Sequence, residues 1–218
     1  MKINQISFGQ AIRFMKVAPS TGQTIYGKRL ASAFEEKYGF LEGPKVVADF
    51  DTGKGVTFLH GFFQGTTVIE KAVIYNDGMI VEAKADTDLC DQFIDDAVEW
   101  ASENANIKFI QDNEHPRLYL SHLVVEDEIG ITKLFSKLST VGSELSRILE
   151  SYGDVKRVIE PIGFAMQSDI AERAGPVPFK FERRSGVQFS ANLYYSSAPV
   201  RTIDHLELLK KLESILKD

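Results

Sequence analysis

The sequence predicts an α+β protein: a mainly antiparallel sheet with four to five helices packed largely on one face. Three observations predict it. Asn76-Asp77-Gly78 joins two apolar runs, and these residue types tolerate the positive φ of a tight hairpin turn. From Val187 to Ser196 apolar and small polar residues alternate at a period of two, the pattern of a half-buried antiparallel strand. Between such runs lie segments with apolar residues at steps of three and four, two of them opened by a capping Thr.

The elements follow in order. The first twenty residues hold a strand, with Ile6, Phe8, Ile12 and Phe14 as core contacts, broken at Pro19-Ser20-Thr21-Gly22. Gly27 to Tyr38 reads as a short helix with Leu30, Ala33, Phe34 and Tyr38 inward, closed by Gly39. Lys45 to Phe50 reads as a strand and Asp51 to Gly55 as a turn. Val56 to Phe63 and Val68 to Tyr75 are extended, and Met79 to Ala83 is the return strand of the hairpin. Thr87 caps a helix that runs to about Glu103, with Leu89, Phe93, Ala97 and Ala101 on its apolar face. Asp88 and Asp91 suit the positive end of its dipole, and Asp95, Asp96, Glu99 and Glu103 read as a solvated face. A loop ends at His115-Pro116, and Leu118 to Val125, apolar on both faces, reads as a central strand.

The strongest periodic signal is Ile131 to Tyr152. Apolar residues recur at Ile131, Leu134, Leu138, Val141, Leu145, Ile148 and Tyr152, the alternating step of a heptad seam. Phe135 and Leu149 widen the face, as expected of a helix lying on its own core. The narrower seam is what a helix shows to a second chain, with Leu134, Leu138, Leu145 and Ile148 as interface residues. Gly142 sits inside the stripe and Ser139, Thr140 and Ser143 could cap a second helix start, so the segment reads either as one helix or as two, about 130–138 and 143–152.

Val155 to Met166 reads as a strand, with Pro161 and Gly163 marking an edge or a bulge. Phe179 to Arg184 pairs across Ser185-Gly186 with the alternating strand, where Val187, Phe189, Ala191, Leu193 and Tyr195 face inward. Thr202 caps the last helix, with Ile203, Leu206, Leu209, Leu212 and Leu216 inside. Hairpin followed by Thr-capped helix thus occurs twice. The chain reads as one domain over 1–218 with two related strand–strand–helix sub-units, 1–126 and 127–218.

Hydrophobic residues make up 44% and charged residues 26% of the 218, the balance of a chain that buries a core. Fifteen Phe against one Trp point to aromatic packing between sheet and helices. A net charge of −6, with dispersed Lys and Arg, argues against nucleic acid, which needs clustered cations. One cysteine, Cys90, excludes an internal disulfide and reads as a buried thiol in a reducing compartment, hence the cytoplasm. Arg13 and Lys16 interrupt the apolar core a signal peptide needs, and no apolar run is long enough for a transmembrane helix.

Few residues suggest chemistry. In Val46-Val47-Ala48-Asp49-Phe50-Asp51-Thr52-Gly53 two carboxylates follow an apolar run. The motif resembles the opening of the haloacid-dehalogenase phosphatases, and the resemblance implies Asp49 as nucleophile and Asp51 as proton shuttle around magnesium. Gly53 stands where that family has Thr. Asp51-Thr52-Gly53 also resembles the active-site triplet of aspartic proteases, but Lys54 follows where Ala or Ser belongs. A polar turn accounts for the same residues on backbone grounds. Gly53-Lys54 is no phosphate loop, because Ala48 and Gly55 occupy the positions of its Gly and Ser/Thr. His60, His115, His122 and His205 lack zinc-ligand spacing. Arg183 and Arg184, with Asn192 and Tyr194 on the next strand, could hold a small anion.

The functional expectation is therefore non-catalytic: a cytoplasmic interaction or assembly protein that binds itself or another protein, with no cofactor, metal, nucleic acid or membrane. The alternatives are a metal-dependent hydrolase using Asp49 and Asp51, and a binder of small anionic ligands near Arg183 and Arg184.

Overall fold

A computed structural model describes residues 1–19, 27–105, 107–111, 117–128, 130–153, 155–169 and 176–217. The breaks expected at residues 20–22 and 115–116 lie outside these. The chain is α+β, with strands β1 (Lys2–Pro19), β2 (Val56–Phe63), β3 (Thr67–Tyr75), β4 (Gly78–Ala83), β5 (Ile107–Gln111), β6 (Leu118–Glu126), β7 (Gly163–Met166), β8 (Phe179–Arg183) and β9 (Leu193–Ala198). Its α-helices are α1 (Gly27–Tyr38), α2 (Thr87–Ala105), α3 (Ser139–Ser151) and α4 (Thr202–Lys217). The backbone separates into two compact units. One holds Ile6–His122 with Pro199–Thr202; the other holds Met1–Gln5, Leu123–Ala198 and Ile203–Asp218.

In the unit of residues 6–122 the strand order is β2-β3-β4-β1-β6, with β5 also on β1. The β2–β3, β3–β4, β1–β4 and β1–β5 ladders are antiparallel. Asn76 and Asp77 turn β3 into β4, as their backbone tolerance predicts. Gly39 closes α1 at φ +61, the left-handed position that ends a helix without Cβ strain. α1 and α2 meet over an aromatic cluster in which Phe34 lies near Tyr38, Phe58 and Phe93 at ring separations of 4.8, 4.8 and 6.3 Å.

β1 departs from expectation in its parity. The buried residues are Gly9, Ala11, Arg13 and Met15, while Ile6, Phe8, Ile12 and Phe14 are half-buried. α2 lies so close to this face that a Cβ at Gly9 would sit 2.5 Å from the Ala85 carbonyl oxygen. Cys90 on α2 donates to the Gly9 carbonyl at 3.3 Å. Close approach selects small side chains, and Arg13 enters because α2 supplies its counter-charges. Lys45 to Phe50 is also corrected: Val47–Phe50 is a 3-10 turn. β5 had no counterpart in the sequence reading.

The other unit orders its strands β6-β9-β8-β7, with antiparallel β7–β8 and β8–β9 ladders. Only Gly163–Met166 of the segment expected as strand from Val155 is extended ladder. The alternating run Val187–Ser196 is corrected in both shape and face. Phe189–Ala191 is a 3-10 turn and Asn192 takes φ +48, so the strand begins at Leu193. Tyr194 and Ser196, expected outside, are 1% and 0% exposed. The Ser196 Oγ meets Nε2 of His205 on α4 at 2.8 Å, so both buried polar groups find partners.

The heptad segment is two helices: a 3-10 helix, Ile131–Leu138, kinked at Phe135, followed by α3. α3 buries Gly142 and Ser146, not its large apolar residues. The Ser146 hydroxyl donates to the Arg157 carbonyl at 2.7 Å. A Cβ at Gly142 would collide with the Ile159 carbonyl oxygen. The core-packing reading of the seam is therefore overturned for Leu134, Leu138, Val141, Leu145 and Tyr152, which all point outward.

Candidate functional site

The acidic turn holds itself together. Asp49 Oδ2 accepts the amide N–H groups of Lys45 and Val46 at 2.8 and 2.9 Å. Those two backbone donors hold its carboxyl below the usual carboxylate range. Asp51 Oδ1 accepts the Gly53 amide at 3.0 Å, and its other oxygen lies 3.7 Å from Lys54 Nζ. Such bonds are what Asp does in any Asx turn. Among the described residues no group of three or more His, Cys, Asp or Glu is placed to hold a metal ion.

The four residues expected to hold an anion are brought to one end of the β8–β9 hairpin, but their polar groups are engaged differently. Arg183 Nη2 pairs with Glu160 at 2.9 Å, and Nη1 donates to the Phe189 carbonyl at 2.8 Å. Its guanidinium also lies over the Phe189 ring, 4.4 Å from the centroid. Arg184 is exposed and contributes its backbone amide to Leu193 O at 2.9 Å. The Asn192 carbonyl accepts the Asp127 amide at 2.9 Å. The Tyr194 hydroxyl and the Arg183 Nε are buried without a hydrogen-bond partner among the described residues. Burial pushes the Tyr194 hydroxyl upward in pKa.

The four expected interface residues are divided between the 3-10 helix, which carries Leu134 and Leu138, and α3, which carries Leu145 and Ile148. Leu134, Leu138 and Leu145 are 47%, 50% and 44% exposed, with Val141 at 63% between them and Ile148 half-buried. Single exposed leucines are ordinary; a run at helical spacing is not. The local cause is the small-residue face. Gly142 and Ser146 let the chain at 157–159 approach one side of α3, and that turns the heptad positions to the opposite side. Lys137 and Glu144 flank the stripe and are both exposed.

One group the sequence reading missed is the charge cluster around buried Arg13 of β1 and the carboxylates of α2. Arg13 pairs with Asp95 through Nη1 and with Asp91 through Nη2 at 2.7 Å. Asp91 also accepts the Tyr119 hydroxyl at 2.7 Å. Asp96 takes Lys37 at 2.7 Å and the Tyr38 hydroxyl at 2.6 Å. Part of the acidic face read as solvated thus joins α2 to its neighbours. The one available signal was Arg13 itself, a charge inside an otherwise apolar strand.

Fold and site define an α+β protein with an exposed apolar helix stripe. No family model, no curated protein and no solved structure matches the chain. Among the described residues no helix is long and apolar enough to cross a membrane.

Proposed function

We propose that this is a non-catalytic cytoplasmic assembly protein that associates with a second copy of itself through the stripe on the 3-10 helix and α3. The observation that carries the reading is the outward aim of Leu134, Leu138, Val141 and Leu145. Water against such a stripe is unfavourable, and a like stripe is its simplest cover. Each half-exposed Leu gains about 1 kcal/mol on full burial. Some eight to ten such groups across two copies roughly balance an association cost on the order of 4–15 kcal/mol. The dimer is accordingly weak and reversible.

Light scattering across a wide dilution series tests this. The expected mass exceeds 24.4 kDa at high concentration and falls towards it on dilution. Leu138→Glu and Leu145→Glu change exposed side chains, so they leave the fold intact and lower the mass at every concentration. A 24.4 kDa particle throughout, or an oligomer indifferent to both substitutions, overturns the reading.

A further inference from the structure

The unit of residues 6–122 holds a cavity of about 380 Å³, open to solvent on one side and lined from α1, α2, β2, β3, β4 and β5. Its walls are aromatic, formed by Phe34, Phe50, Phe58, Trp100 and Phe109. The space exists because the helices face it with Ala31, Ala97 and Ala101. On α2 the apolar stripe begins with large residues, Leu89 and Phe93, and narrows to Ala97 and Ala101 where the cavity opens. Apolar surface of this extent is ordinarily covered by packing, so an open cavity that leaves it lining solvent invites a guest. Apolar cavities take apolar guests.

The lining also says what the guest is. It includes no Asp, Glu, Lys, Arg or His among the described residues, so an ionised molecule would lose its hydration with no compensating charge. Polar groups occur at Thr52, Tyr75 and Asn76, where the turn after the 3-10 segment meets the β3–β4 hairpin. The Asn76 amide donates to the Thr52 carbonyl at 3.2 Å and ties these two turns together. A few convergent polar groups on an otherwise apolar wall is the usual make-up of a small-molecule site.

We propose that this cavity binds a small, neutral, flat aromatic molecule that carries one hydrogen-bonding group, its ring laid against the packed cluster of Phe34, Phe58 and Trp100 and its polar group towards Thr52 and Asn76. The site is independent of the α3 stripe and needs no second copy.

The test uses the full chain and N-phenyl-1-naphthylamine, a neutral aromatic dye with a single N–H donor. Trp100 is the chain's only tryptophan, so the cavity contains its own reporter. Dye emission rises and Trp100 emission falls by energy transfer, both saturating at one dye per chain. Ala97→Leu and Ala101→Leu fill the cavity and weaken binding at least about tenfold. Circular dichroism confirms that each variant is folded. Should neither fold, Thr52→Val at the exposed rim serves instead, and weakens binding several-fold. Leu145→Glu leaves binding unchanged, which separates the cavity from the exposed stripe. The proposal is overturned by an absence of saturable binding, by undiminished binding in the folded Ala variants or in Thr52→Val where that stands in, or by loss of binding in Leu145→Glu.

Discussion

Arg13 shows how a single residue can be misread from pattern and explained by packing. Its side chain is 8% exposed and compensated by Asp91 and Asp95, so removing the cation leaves half-buried Asp91 with only the Tyr119 hydroxyl at 2.7 Å and Arg117 at 3.9 Å. Arg13→Met is expected to destabilise the fold by about 1–3 kcal/mol, below the range for a fully buried pair because Asp95 is exposed and Asp91 keeps other partners. Urea denaturation measures it, and a loss under about 1 kcal/mol would place the pair among the surface bridges that contribute little. Tyr194 makes the opposite case. Its hydroxyl is desolvated and has no hydrogen-bond partner among the described residues, so Tyr194→Phe removes a penalty and keeps the ring stacked on Phe181 at 4.9 Å. Stability is expected to hold or rise by about 1 kcal/mol. Cys90 adds a pH dependence. Burial first, then the charges of Asp86 and Asp91, push its thiol up to about 12. The unfolded chain releases this proton near pH ~8.5 and the folded chain does not. Stability from the group is intact below that range and falls as pH rises towards 12. Alkaline unfolding of Cys90→Ala should therefore be shallower over that interval, and identical curves would show that the thiol is not desolvated. The burial of Cys90 was legible in the sequence. The partners of Arg13 were not, because an acidic helix face looks the same whether it meets water or an arginine.

At the level of elements, legibility followed the turns. β2, β3, β4, α1, α2 and α4 lie close to where turn residues and Thr caps placed them, since φ preferences act locally. β9 was misplaced because its alternation continues backwards through residues that fold as a 3-10 turn, and Asn192 at φ +48 resets the register. A shift of one residue exchanges the faces of a strand, which is why Tyr194 and Ser196 lie inside. α3 was misread because periodicity locates an apolar stripe but not its cover. The residue that decides its orientation is Gly142. In an exposed helix Gly→Ala gains about 1 kcal/mol of helix propensity. Here the new methyl collides with the backbone at Ile159, which cannot swing aside as a side chain could. Gly142→Ala is expected to be net destabilising by about 1–3 kcal/mol. It should also release the chain at 155–162, seen as faster amide exchange of Arg157, whose N–H reaches Ser146 Oγ at 3.4 Å. A stabilised variant with unchanged exchange would mean that α3 is not held by its small-residue face.

At the scale of the whole molecule, two short segments sit in the unit remote from them in sequence. Residues 1–5 belong with the later part of the chain and 199–202 with the earlier part. The second of these has a chemical reason. The Thr87 amide donates to the Thr202 hydroxyl at 3.1 Å, and the Thr202 amide donates to the Thr87 hydroxyl at 2.9 Å. Both threonines are the first residues of helices, where N–H groups lack partners within the helix, and each satisfies the other's. Beside them Arg201 pairs with Asp88 at 2.6 Å. A sequence reading finds two capping threonines but cannot see that residues 115 positions apart cap each other. Thr202→Val should accordingly expose the Thr87 amide and cost about 1–2 kcal/mol, because both hydroxyl and amide are buried. Hydrogen exchange would show the Thr87 amide accelerated while amides around Phe93, in the middle of α2, keep their protection. Thr87→Val should do the same to the Thr202 amide. The double variant should be less destabilised than the sum of the two, since loss of either bond loosens the contact that holds the other in place. Additive losses would mean that the two threonines contribute independently, and that the return of residues 199–202 to the earlier unit is held by the Arg201–Asp88 pair instead.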